Sequence, residues 1–419
     1  MGRRRLVVVG GSLAGLRAVE AARRAGFDGH VVLIGEEEYA PYDRPPLSKA
    51  FLDSGPEPDG PSSLAPSSSY QDLGVRLMLG APASGLDTES RIVHVGERSV
   101  GYDRLVIATG ARPRWPAELR RLKGVHTLRT VDDARAVRSA LDAGARTVVI
   151  GGGFIGAEVA TAARGRGLPV TVLEALPTPL VRAVGARMGA VCSALHARHG
   201  TTLRCGVTVT GVEGGERVER VRLSDGSAVD ADLVVVGVGA VPATGWLETS
   251  GLDLQDGVMC DEFLNCGVPG VYAAGDVARW RHPLFGRSTR MENWTGAAEQ
   301  GAVAGRNAVA TGALEPCATV PYFWSDWYGT RIQFVGSPDG ARIETSGDPD
   351  EGRVTALYHC DDRLVGVLTV GRQPSAVKFR ALIRRRASLA EARELVTRRS
   401  VFPTPDLREP PARVEPCER

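Results

Sequence analysis

Two segments of the 419-residue chain repeat one pattern: an apolar strand, a glycine-rich turn, a helix and a second apolar strand. The first segment, LVVVGGSLAGLRAVEAARRAGFDGHVVLIGE, begins at Leu6, and the second, TVVIGGGFIGAEVATAARGRGLPVTVLEA, begins at Thr147. Apolar runs rich in β-branched residues that alternate with a helix of this length predict parallel βαβ units. The pattern therefore predicts an α/β protein with two Rossmann-like domains.

The second copy has a complete GxGxxG motif, formed by Gly151, Gly153 and Gly156. In such a motif the first glycine makes the turn, the second lets the backbone approach a diphosphate, and the third allows close packing of helix and strand. Glu174 ends the second strand, where its carboxylate can accept hydrogen bonds from both ribose hydroxyls and would repel a 2′-phosphate. No arginine follows at once in EALPTPL, so the motif favours NADH over NADPH.

The first copy departs from the motif at one position. Gly10 and Gly15 are present, but Ser12 replaces the central glycine, and Glu36 is the matching ribose acceptor. A serine is small and can hydrogen-bond a phosphate, so we expect binding to be weakened rather than lost. One glycine motif is weak evidence, whereas two in the same context are strong. The alternative is a pair of glycine turns without nucleotides; we expect two dinucleotides, FAD and a nicotinamide nucleotide.

Composition limits the other classes of function. The chain is 43% hydrophobic and 24% charged with a net charge of +2, which is typical of a globular protein and excludes a general nucleic-acid coating protein. No segment reaches the roughly 18 apolar residues of a membrane span, and the start, MGRRRLVVVGG, fits a first strand better than a secretory signal. An odd number of irregularly spaced cysteines indicates reduced thiols and a cytoplasmic protein. They are Cys192, Cys205, Cys260, Cys266, Cys317, Cys360 and Cys417.

Further motifs carry a family resemblance. YDRLVIATGARPR, from Tyr102 to Arg114, and GVYAAGDVA, from Gly270 to Ala278, resemble two signatures of the flavin-dependent pyridine-nucleotide reductases. PYDRPPLSK, LRTVDDA, RMENWTGAAEQG and PYFWSDWYGTRIQFVG are similar to motifs of the putidaredoxin reductase-like NADH:ferredoxin reductases, over essentially residues 5–400. The resemblance implies a discontinuous FAD domain, an inserted NADH domain and a C-terminal α+β interface domain. The expected division is 1–112 and 239–316 for FAD, 113–238 for NADH, and 317–419 for the interface domain.

The resemblance also implies a set of cofactor contacts. Asp276 is expected to hold the ribitol chain, and Arg129 to lie where the chain passes between domains. The family usually has asparagine where this chain has Ala243, which puts one polar contact between domains in doubt. The implied cofactor-binding residues are Gly10, Ser12, Ala14, Gly15, Glu36, Arg44, Lys49, Ala83, Arg129, Gly151, Gly153, Ile155, Gly156, Glu174, Gly237, Asp276 and Trp294.

Three residues are implied to act at the reacting ring. The chain has only three lysines, and Lys49 matches a family lysine held beside flavin N5 and paired with a glutamate, here Glu158. Trp324, with Trp294, is implied to shield the isoalloxazine and to gate the nicotinamide. Trp327 stands where the family usually has glutamine, and the sequence assigns it no role. The alternatives are a surface lysine and tryptophans that only pack a domain interface.

The region after the first βαβ unit contains no cysteine, whereas glutathione reductase-type relatives carry a redox CxxxxC there. Electrons are therefore expected to leave the flavin directly, which suits a one-electron iron–sulfur acceptor. The predicted function is hydride transfer from NADH to FAD and then electron transfer to a ferredoxin that serves a haem-thiolate or ring-hydroxylating monooxygenase. The alternatives are an NADH oxidase or monodehydroascorbate reductase-like enzyme, and a redox-sensing flavoprotein that acts as an interaction partner.

Clustered arginines suggest where an acidic ferredoxin would dock. Residues 372–399 contain nine basic side chains against only Glu391 and Glu394, although a solvated helix face would have the same composition. Four further arginines near the flavin motifs are candidates: Arg279, Arg281, Arg287 and Arg290. His196 and His199 are spaced like metal ligands but lack a neighbouring ligand cluster, so no metal is expected. The sequence indicates no oligomeric state.

Overall fold

The computed structural model of the chain describes residues 4–56, 58, 60–119, 121–349, 351–371 and 376–397. Their contacts divide the chain into two compact units. Unit 1 comprises the described residues within Met1–Pro45, Asp59–Arg112 and Ala240–Thr319, and unit 2 those within Pro46–Pro58, Pro113–Gly239 and Val320–Arg419. The four-part domain division given by the resemblance remains a prediction.

Helices contribute to both units. The α-helices of the described residues are α1 Leu13–Arg24, α2 Ser67–Asp72, α3 Val131–Asp142, α4 Phe154–Gly165, α5 Val181–Arg198, α6 Trp294–Val309, α7 Ala376–Arg384 and α8 Leu389–Thr397. Short 3-10 helices occupy Pro45–Ser48, Ala50–Leu52, Gly245–Leu247 and Gly275–Val277. None of these helices combines the length and the apolarity that crossing a membrane requires.

The strands of the described residues are, in chain order, β1 Arg5–Val9, β2 His30–Ile34, β3 Val75–Met78, β4 Gly85–Asp87, β5 Ile92–Val95, β6 Arg98–Gly101, β7 Arg104–Ile107, β8 Ala111–Pro113, β9 Val125–His126, β10 Thr147–Ile150, β11 Val170–Glu174, β12 Thr202–Cys205, β13 Val209–Glu213, β14 Arg220–Leu223, β15 Ala228–Asp230, β16 Leu233–Val236, β17 Ala240–Pro242, β18 Val258–Cys260, β19 Val271–Ala273, β20 Ala278–His282, β21 Arg287–Arg290, β22 Tyr322–Trp327, β23 Thr330–Gly336, β24 Arg342–Asp348, β25 Arg353–Cys360 and β26 Arg363–Val370.

The main sheet of unit 1 has the strand order β19-β7-β1-β2-β3, and all its neighbours run parallel. Val7 of β1 is in register with Val32 of β2 and with Leu105 of β7. All three of these side chains are buried, as expected of a parallel sheet that is covered on both faces. The first predicted βαβ unit therefore forms, and β1 begins one residue before the predicted Leu6.

Helices α1 and α6 pack closely in unit 1. An added Cβ at Gly301 of α6 would overlap the carbonyl oxygen of Ala14 in α1, and one at Gly305 would overlap that of Ala18. Two glycines four residues apart lie on the same face of a helix, so they allow the two helix backbones to approach each other. This contact fixes α6, which begins at Trp294, against the helix that follows the first glycine turn.

Unit 2 contains a second parallel sheet and an antiparallel one. The parallel sheet has the order β12-β11-β10-β16-β9, and α4 follows β10 from Phe154, as the sequence predicts. The antiparallel sheet has the order β22-β23-β26-β25-β24 and carries α7 and α8. Its core includes Trp327, Phe334 and Tyr358, which cluster with Val184 and Met188 of α5.

Candidate functional site

The second glycine turn, in unit 2, leaves open the position where a diphosphate is expected. An added Cβ at Gly151 would overlap the carbonyl oxygen of Gly237, which follows β16. One at Gly156 would overlap the carbonyl oxygen of Gly151 and lie 2.9 Å from Cγ1 of Val149. At Gly153, by contrast, the nearest atom would be the Gly237 oxygen at 3.9 Å. Close packing therefore requires glycine at Gly151 and at Gly156. The central glycine, Gly153, leaves open space that fits a nucleotide diphosphate.

Helix α4 begins directly at this turn. Its N-cap residue, Gly153, has no side chain that could accept a hydrogen bond from the N–H groups of the first turn. The first turn also contains no acidic residue. The free N–H groups and the positive end of the helix dipole therefore suit an anion. Ile155, in the first turn, is 44% exposed, which is unusual for a large apolar side chain and fits a contact with a bound nucleotide.

Glu174 stands at the end of β11 with its carboxylate fixed by two backbone N–H groups. Gly152 donates to Oε2 at 2.9 Å, and Leu176 donates to Oε1 at 2.9 Å. Each carboxylate oxygen still has a lone pair for a ribose hydroxyl. The arrangement fits the predicted ribose acceptor, and the negative charge beside the turn would repel a 2′-phosphate.

The first glycine turn, in unit 1, has the same construction with one added side chain. Gly10 has φ +129°, and an added Cβ there would overlap the carbonyl oxygen of Ala108. One at Gly15 would overlap the carbonyl oxygen of Gly10. Ser12 is the N-cap of α1 but makes no cap hydrogen bond; its Oγ instead accepts from Nε of Arg44 at 3.3 Å. The serine therefore leaves the first N–H groups of α1 available to a phosphate.

Arg44 is held by a small polar network in unit 1. Its Nη2 lies 2.5 Å from Oε1 of Glu37, and the Tyr42 hydroxyl donates to Oε2 of Glu37 at 2.6 Å. The guanidinium also lies 5.2 Å from the centre of the Tyr42 ring. This network fixes a cation beside Ser12, where the predicted diphosphate of FAD would bind.

Glu36, the predicted ribose acceptor of unit 1, is paired with an arginine that the sequence did not indicate. Nη2 of Arg112 lies 2.9 Å from both carboxylate oxygens of Glu36. Both side chains are more than half exposed, so solvent screening keeps this pair weak and a ligand can compete with it.

Two further predicted FAD residues of unit 1, Asp276 and Ala14, lie at one turn beside α1 and α6. Asp276 belongs to the 3-10 turn Gly275–Val277, whose first N–H is held by Oε1 of Gln300 at 2.9 Å. Ala14 is buried at this turn, and Ala83 is partly buried against the core of unit 1.

Trp294, the first residue of α6, donates its indole N–H to Oδ1 of Asp43 at 2.6 Å, which fixes the plane of its ring. Arg129 belongs to unit 2, where its backbone N–H donates to Oδ2 of Asp133 at 2.9 Å just before α3. Thr130 and Asp133 form the capping box at the N-terminus of α3, and this capping box fixes the position of the Arg129 backbone.

Lys49 and Glu158 are brought together in unit 2, as the resemblance implies. Nζ of Lys49 lies 2.9 Å from Oε1 of Glu158, and the glutamate side chain is 2% exposed, against 21% for the lysine. Segment 46–58 belongs to unit 2 because of such contacts; for example, Arg138 of α3 donates to the carbonyl oxygens of Phe51 and Gly55. The buried carboxylate of Glu158, five residues after Gly153 of the glycine turn, thus fixes the position of the Lys49 cation.

Two hydroxyls that the sequence did not indicate complete the surroundings of Glu158. Ser48 donates to Oε2 and Ser325 of β22 donates to Oε1. The indole N–H of the fully buried Trp327 in turn donates to Oγ of Ser325 at 2.8 Å. Trp327, to which the sequence assigned no role, is therefore connected to the predicted lysine–glutamate pair through one serine.

Trp324 precedes Ser325 in β22, and neighbouring side chains of a strand point to opposite faces of the sheet. Trp324 stacks on Tyr322, two residues away, with ring centres 5.8 Å apart. It therefore lies on the face opposite to Ser325 and Glu158 within unit 2, and a role at the flavin remains a prediction.

Comparisons with known proteins identify the family. A family model described as Pyridine nucleotide-disulphide oxidoreductase matches residues 4–301, and one described as Reductase C-terminal matches residues 322–399. This chain belongs to the pyridine nucleotide-disulphide oxidoreductase family. The membership confirms the predicted fold class, the predicted oxidoreductase activity and the cofactor pair, FAD and NADH.

Two named reductases and one solved structure are similar to this oxidoreductase over most of its length. It is 34% identical over 382 residues to the rhodocoxin reductase of Rhodococcus erythropolis, with 90% of this chain and 89% of that one covered. It is 35% identical over 340 residues to the benzene 1,2-dioxygenase system ferredoxin–NAD(+) reductase subunit of Pseudomonas putida, with 80% and 81% covered. The solved covalent putidaredoxin reductase–putidaredoxin complex matches with a TM-score of 0.87 at 31% identity, with 92% of this chain and 94% of that chain covered.

The two histidines of the oxidoreductase that have metal-like spacing pack on one tyrosine instead. Nδ1 of His196 lies 2.8 Å from the Tyr328 hydroxyl, and the ring of His199 stacks on the Tyr328 ring at 4.7 Å. Burial lowers the pKa of His196 to about 4, so it stays uncharged near neutral pH. The described residues contain no group of His, Cys, Asp and Glu side chains that could hold a metal ion.

The six cysteines among the described residues carry free thiols, and Cys417 lies outside those residues. Two of them approach each other in unit 1, where Sγ of Cys260 lies 3.8 Å from Sγ of Cys266. Both are buried, and burial raises the pKa of Cys266 well above its ordinary value. The irregular spacing of the cysteines gave no indication of this pair.

The candidate docking arginines are partly neutralised. Arg279 lies 3.0 Å from Asp256, and Arg290 lies 2.6 Å from Glu292. Arg281 and Arg287 lie on the same two strands and are exposed. In residues 372–399, Arg385 pairs with Glu391 and Arg393 with Glu344, each at 2.5 Å. Lys378, Arg384 and Arg386 are exposed, and Arg372, Arg398 and Arg399 lie outside the described residues.

Proposed function

We propose that this chain is an NADH:ferredoxin oxidoreductase, which passes electrons from NADH through FAD to a small iron–sulfur protein. The named ferredoxin reductases among its relatives support this activity, and so does the putidaredoxin complex. The predicted rivals are an NADH oxidase or monodehydroascorbate reductase-like enzyme and a redox-sensing interaction partner; no contact among the described residues favours either of them.

The observation that carries the proposal is the pairing of Lys49 with Glu158. Glu158 lies on α4, the helix that begins at the second glycine turn, so the turn and the carboxylate that holds the cation share one rigid element. A fixed ammonium can orient a cofactor and stabilise negative charge that develops next to it. The carboxylate reduces the cost of keeping that ammonium out of water.

FAD, when bound, accepts a hydride from NADH and releases the two electrons singly. The chain itself binds and orients the two dinucleotides, and we propose the residues implied by the resemblance for that task. The FAD set is Gly10, Ser12, Ala14, Gly15, Glu36, Arg44, Lys49, Ala83, Arg129, Asp276 and Trp294, and the NADH set is Gly151, Gly153, Ile155, Gly156, Glu174 and Gly237. Lys49, Glu158 and Trp324 are proposed to act at the reacting ring. The division into 1–112, 113–238, 239–316 and 317–419 belongs to the same proposal.

We propose that the ferredoxin is acidic and docks on an arginine-rich surface. Two patches are candidates: the strand patch, Arg281 and Arg287, and the helix patch, Lys378, Arg384 and Arg386. Their positive charge would increase the association rate at low ionic strength and lose this effect as salt is added. NADH as the electron donor and the free cysteine thiols fit the cytoplasmic location that we propose. We also propose that the ferredoxin serves a haem-thiolate or ring-hydroxylating oxygenase.

Stopped-flow reduction tests the proposed function. FAD-loaded protein is mixed with NADH or NADPH under anaerobic conditions, and the reduced protein is then mixed with oxidised [2Fe–2S] ferredoxin. We expect faster reduction by NADH and complete transfer to the ferredoxin. Oxygen consumption that equals the rate with ferredoxin would indicate the oxidase, and negligible turnover with every acceptor would indicate the redox-sensing partner.

Charge reversal of each patch separately tests the docking surface. Arg281→Glu with Arg287→Glu, and Arg384→Glu with Arg386→Glu, are compared at low and high salt. The docking patch is the one whose reversal lowers the ferredoxin rate at low salt but leaves flavin reduction by NADH unchanged. If both variants reduce the ferredoxin at low salt as fast as the unaltered protein does, the proposed arginine-rich docking surface is wrong.

A further inference from the structure

Trp327 can act on Ser325 in one way only. An indole N–H donates hydrogen bonds and cannot accept them, whereas a serine hydroxyl has one hydrogen to donate and lone pairs that accept. Because Trp327 donates to Oγ of Ser325 at 2.8 Å, the serine uses a lone pair on that side. Its single hydrogen is then directed at Oε1 of Glu158.

Glu158 consequently receives donors at both carboxylate oxygens. Oε1 accepts from Ser325 and from Nζ of Lys49, and Oε2 accepts from Ser48. A carboxylate with donors at both oxygens can rotate only if one of the two hydroxyls turns away, and the indole opposes that turn at Ser325.

The indole itself is held rigidly. Trp327 is fully buried, its ring lies 6.0 Å from that of Phe154 and 5.2 Å from that of His196, and it belongs to the core of unit 2. A side chain packed on several sides has few rotamers to sample, so its N–H has a fixed direction. The glutamine that the family usually has at this position could donate or accept, and would leave the serine free to turn.

We propose that Trp327 is a positioning residue: through Ser325 it fixes the carboxylate of Glu158 in one orientation, and Glu158 holds the ammonium of Lys49 in one place. The catalytic use of this ammonium rests on the proposed function. The chain of contacts from Trp327 to Lys49 does not, because all four side chains lie in unit 2.

The small number of lysines makes the proposal directly measurable. The chain contains only Lys49, Lys123 and Lys378, so the background K123R/K378R leaves one lysine side chain in a protein labelled with 15N-lysine. Nuclear magnetic resonance then measures how fast the Nζ hydrogens of Lys49 exchange with water, in FAD-loaded protein without NADH or ferredoxin. Failure of the positioning chain is thereby distinguished from failure of the proposed activity.

We compare Trp327→Phe and Ser325→Ala, which remove the N–H and the hydroxyl, with Trp280→Phe as the matched control. Trp280 is equally buried, but its N–H donates to the carbonyl oxygen of Cys317 in unit 1. Exchange at Lys49 should become at least about tenfold faster in the first two variants, as expected when a hydrogen bond to a charged group is lost. It should stay unchanged in the control.

Infrared spectra provide the second readout. In Trp327→Phe and Ser325→Ala we expect a shift of the carboxylate stretching bands of Glu158, which are identified by their loss in Glu158→Gln. Exchange rates and spectra that match the control would overturn the proposal. If Trp327→Phe does not fold, Ser325→Ala alone decides, since it removes one oxygen and leaves the indole in place.

Discussion

The backbone N–H of Gly152 donates to Oε2 of Glu174 at 2.9 Å, which ties the carboxylate at the end of β11 to the turn before α4. In Glu174→Ala the ribose loses a charged acceptor, so kcat/KM for NADH should fall by about 10- to 100-fold. The preference for NADH over NADPH should narrow, while FAD content stays unchanged. The experiment is steady-state kinetics with both nucleotides; NADPH used as well as NADH by the unaltered protein would contradict this reading of Glu174.

Glu158→Gln tests the buried pair. The change removes the carboxylate that pairs with Lys49, and breaking a buried pair costs about 3 to 5 kcal/mol, which we reduce to about 2 to 3 because the lysine is one-fifth exposed. We expect the free energy of unfolding to fall by that amount and flavin reduction by NADH to slow. The double variant Lys49→Met with Glu158→Gln should be more stable than Glu158→Gln alone. Additive losses of stability would show that the two charges are independent.

Two glycines of the second turn should respond differently to the same change. Gly153→Ala places a methyl group in open space, so stability should be retained while KM for NADH rises. Gly156→Ala forces a methyl group against the Gly151 carbonyl and Val149, which should lower the free energy of unfolding by about 1 to 3 kcal/mol. Thermal unfolding and NADH kinetics of both variants check this. Equal loss of stability would mean that the central position is also filled by the protein.

Unit 1 should be sensitive to acid through His282. Its Nε2 lies 2.7 Å from the Thr319 carbonyl, its Nδ1 accepts from the N–H of Leu284, and burial lowers its pKa to about 4. The unfolded chain binds a proton near pH 6.5 and the folded chain does not, so stability is full above pH 6.5 and falls as the pH drops to 4. This histidine contributes up to about 3 kcal/mol of that loss. Denaturant unfolding at several pH values should show a smaller loss in His282→Gln, and no such reduction in the exposed control His94→Gln.

The close cysteines should be dispensable for electron transfer. Cys260 and Cys266 are both buried, and a thiol of raised pKa forms little of the reactive thiolate. The double variant Cys260→Ala with Cys266→Ala should therefore reduce ferredoxin at close to the unaltered rate. Mass spectrometry of thiols alkylated during turnover provides the second measurement. A loss of ferredoxin reduction with normal flavin reduction would mean that electrons pass through these thiols.

Local patterns made the dinucleotide folds predictable. The turn from Gly151 to Gly156 and the ribose acceptor Glu174 lie within one βαβ unit, so spacing alone places them together. The pairing of Lys49 with Glu158 spans more than one hundred residues and was available only through the family resemblance. Within the chain itself, no periodicity connects those two positions.

The remaining contacts depend on tertiary register. Ser325 contacts Glu158, and Trp327 contacts Ser325, because both residues lie on the same face of β22. Trp324 lies on the other face, and motif matching does not distinguish the two faces. Arg112 meets Glu36 only once β7 is placed beside β1. Likewise, the carboxylate of Asp256 that neutralises Arg279 comes from a different part of the chain, so composition overstated the free charge.

Gly301 and Gly305 bring the backbone of α6 onto that of α1, so the separation between these helices is set by main-chain contact rather than by side-chain volume. Exchanging core residues therefore cannot adjust the spacing of Trp294 from the first glycine turn in small steps. In proteins built in this way, the distance between the two helices stays constant. Variation in the cofactor environment must therefore come from the loops and from the residues that orient the indole, such as Asp43.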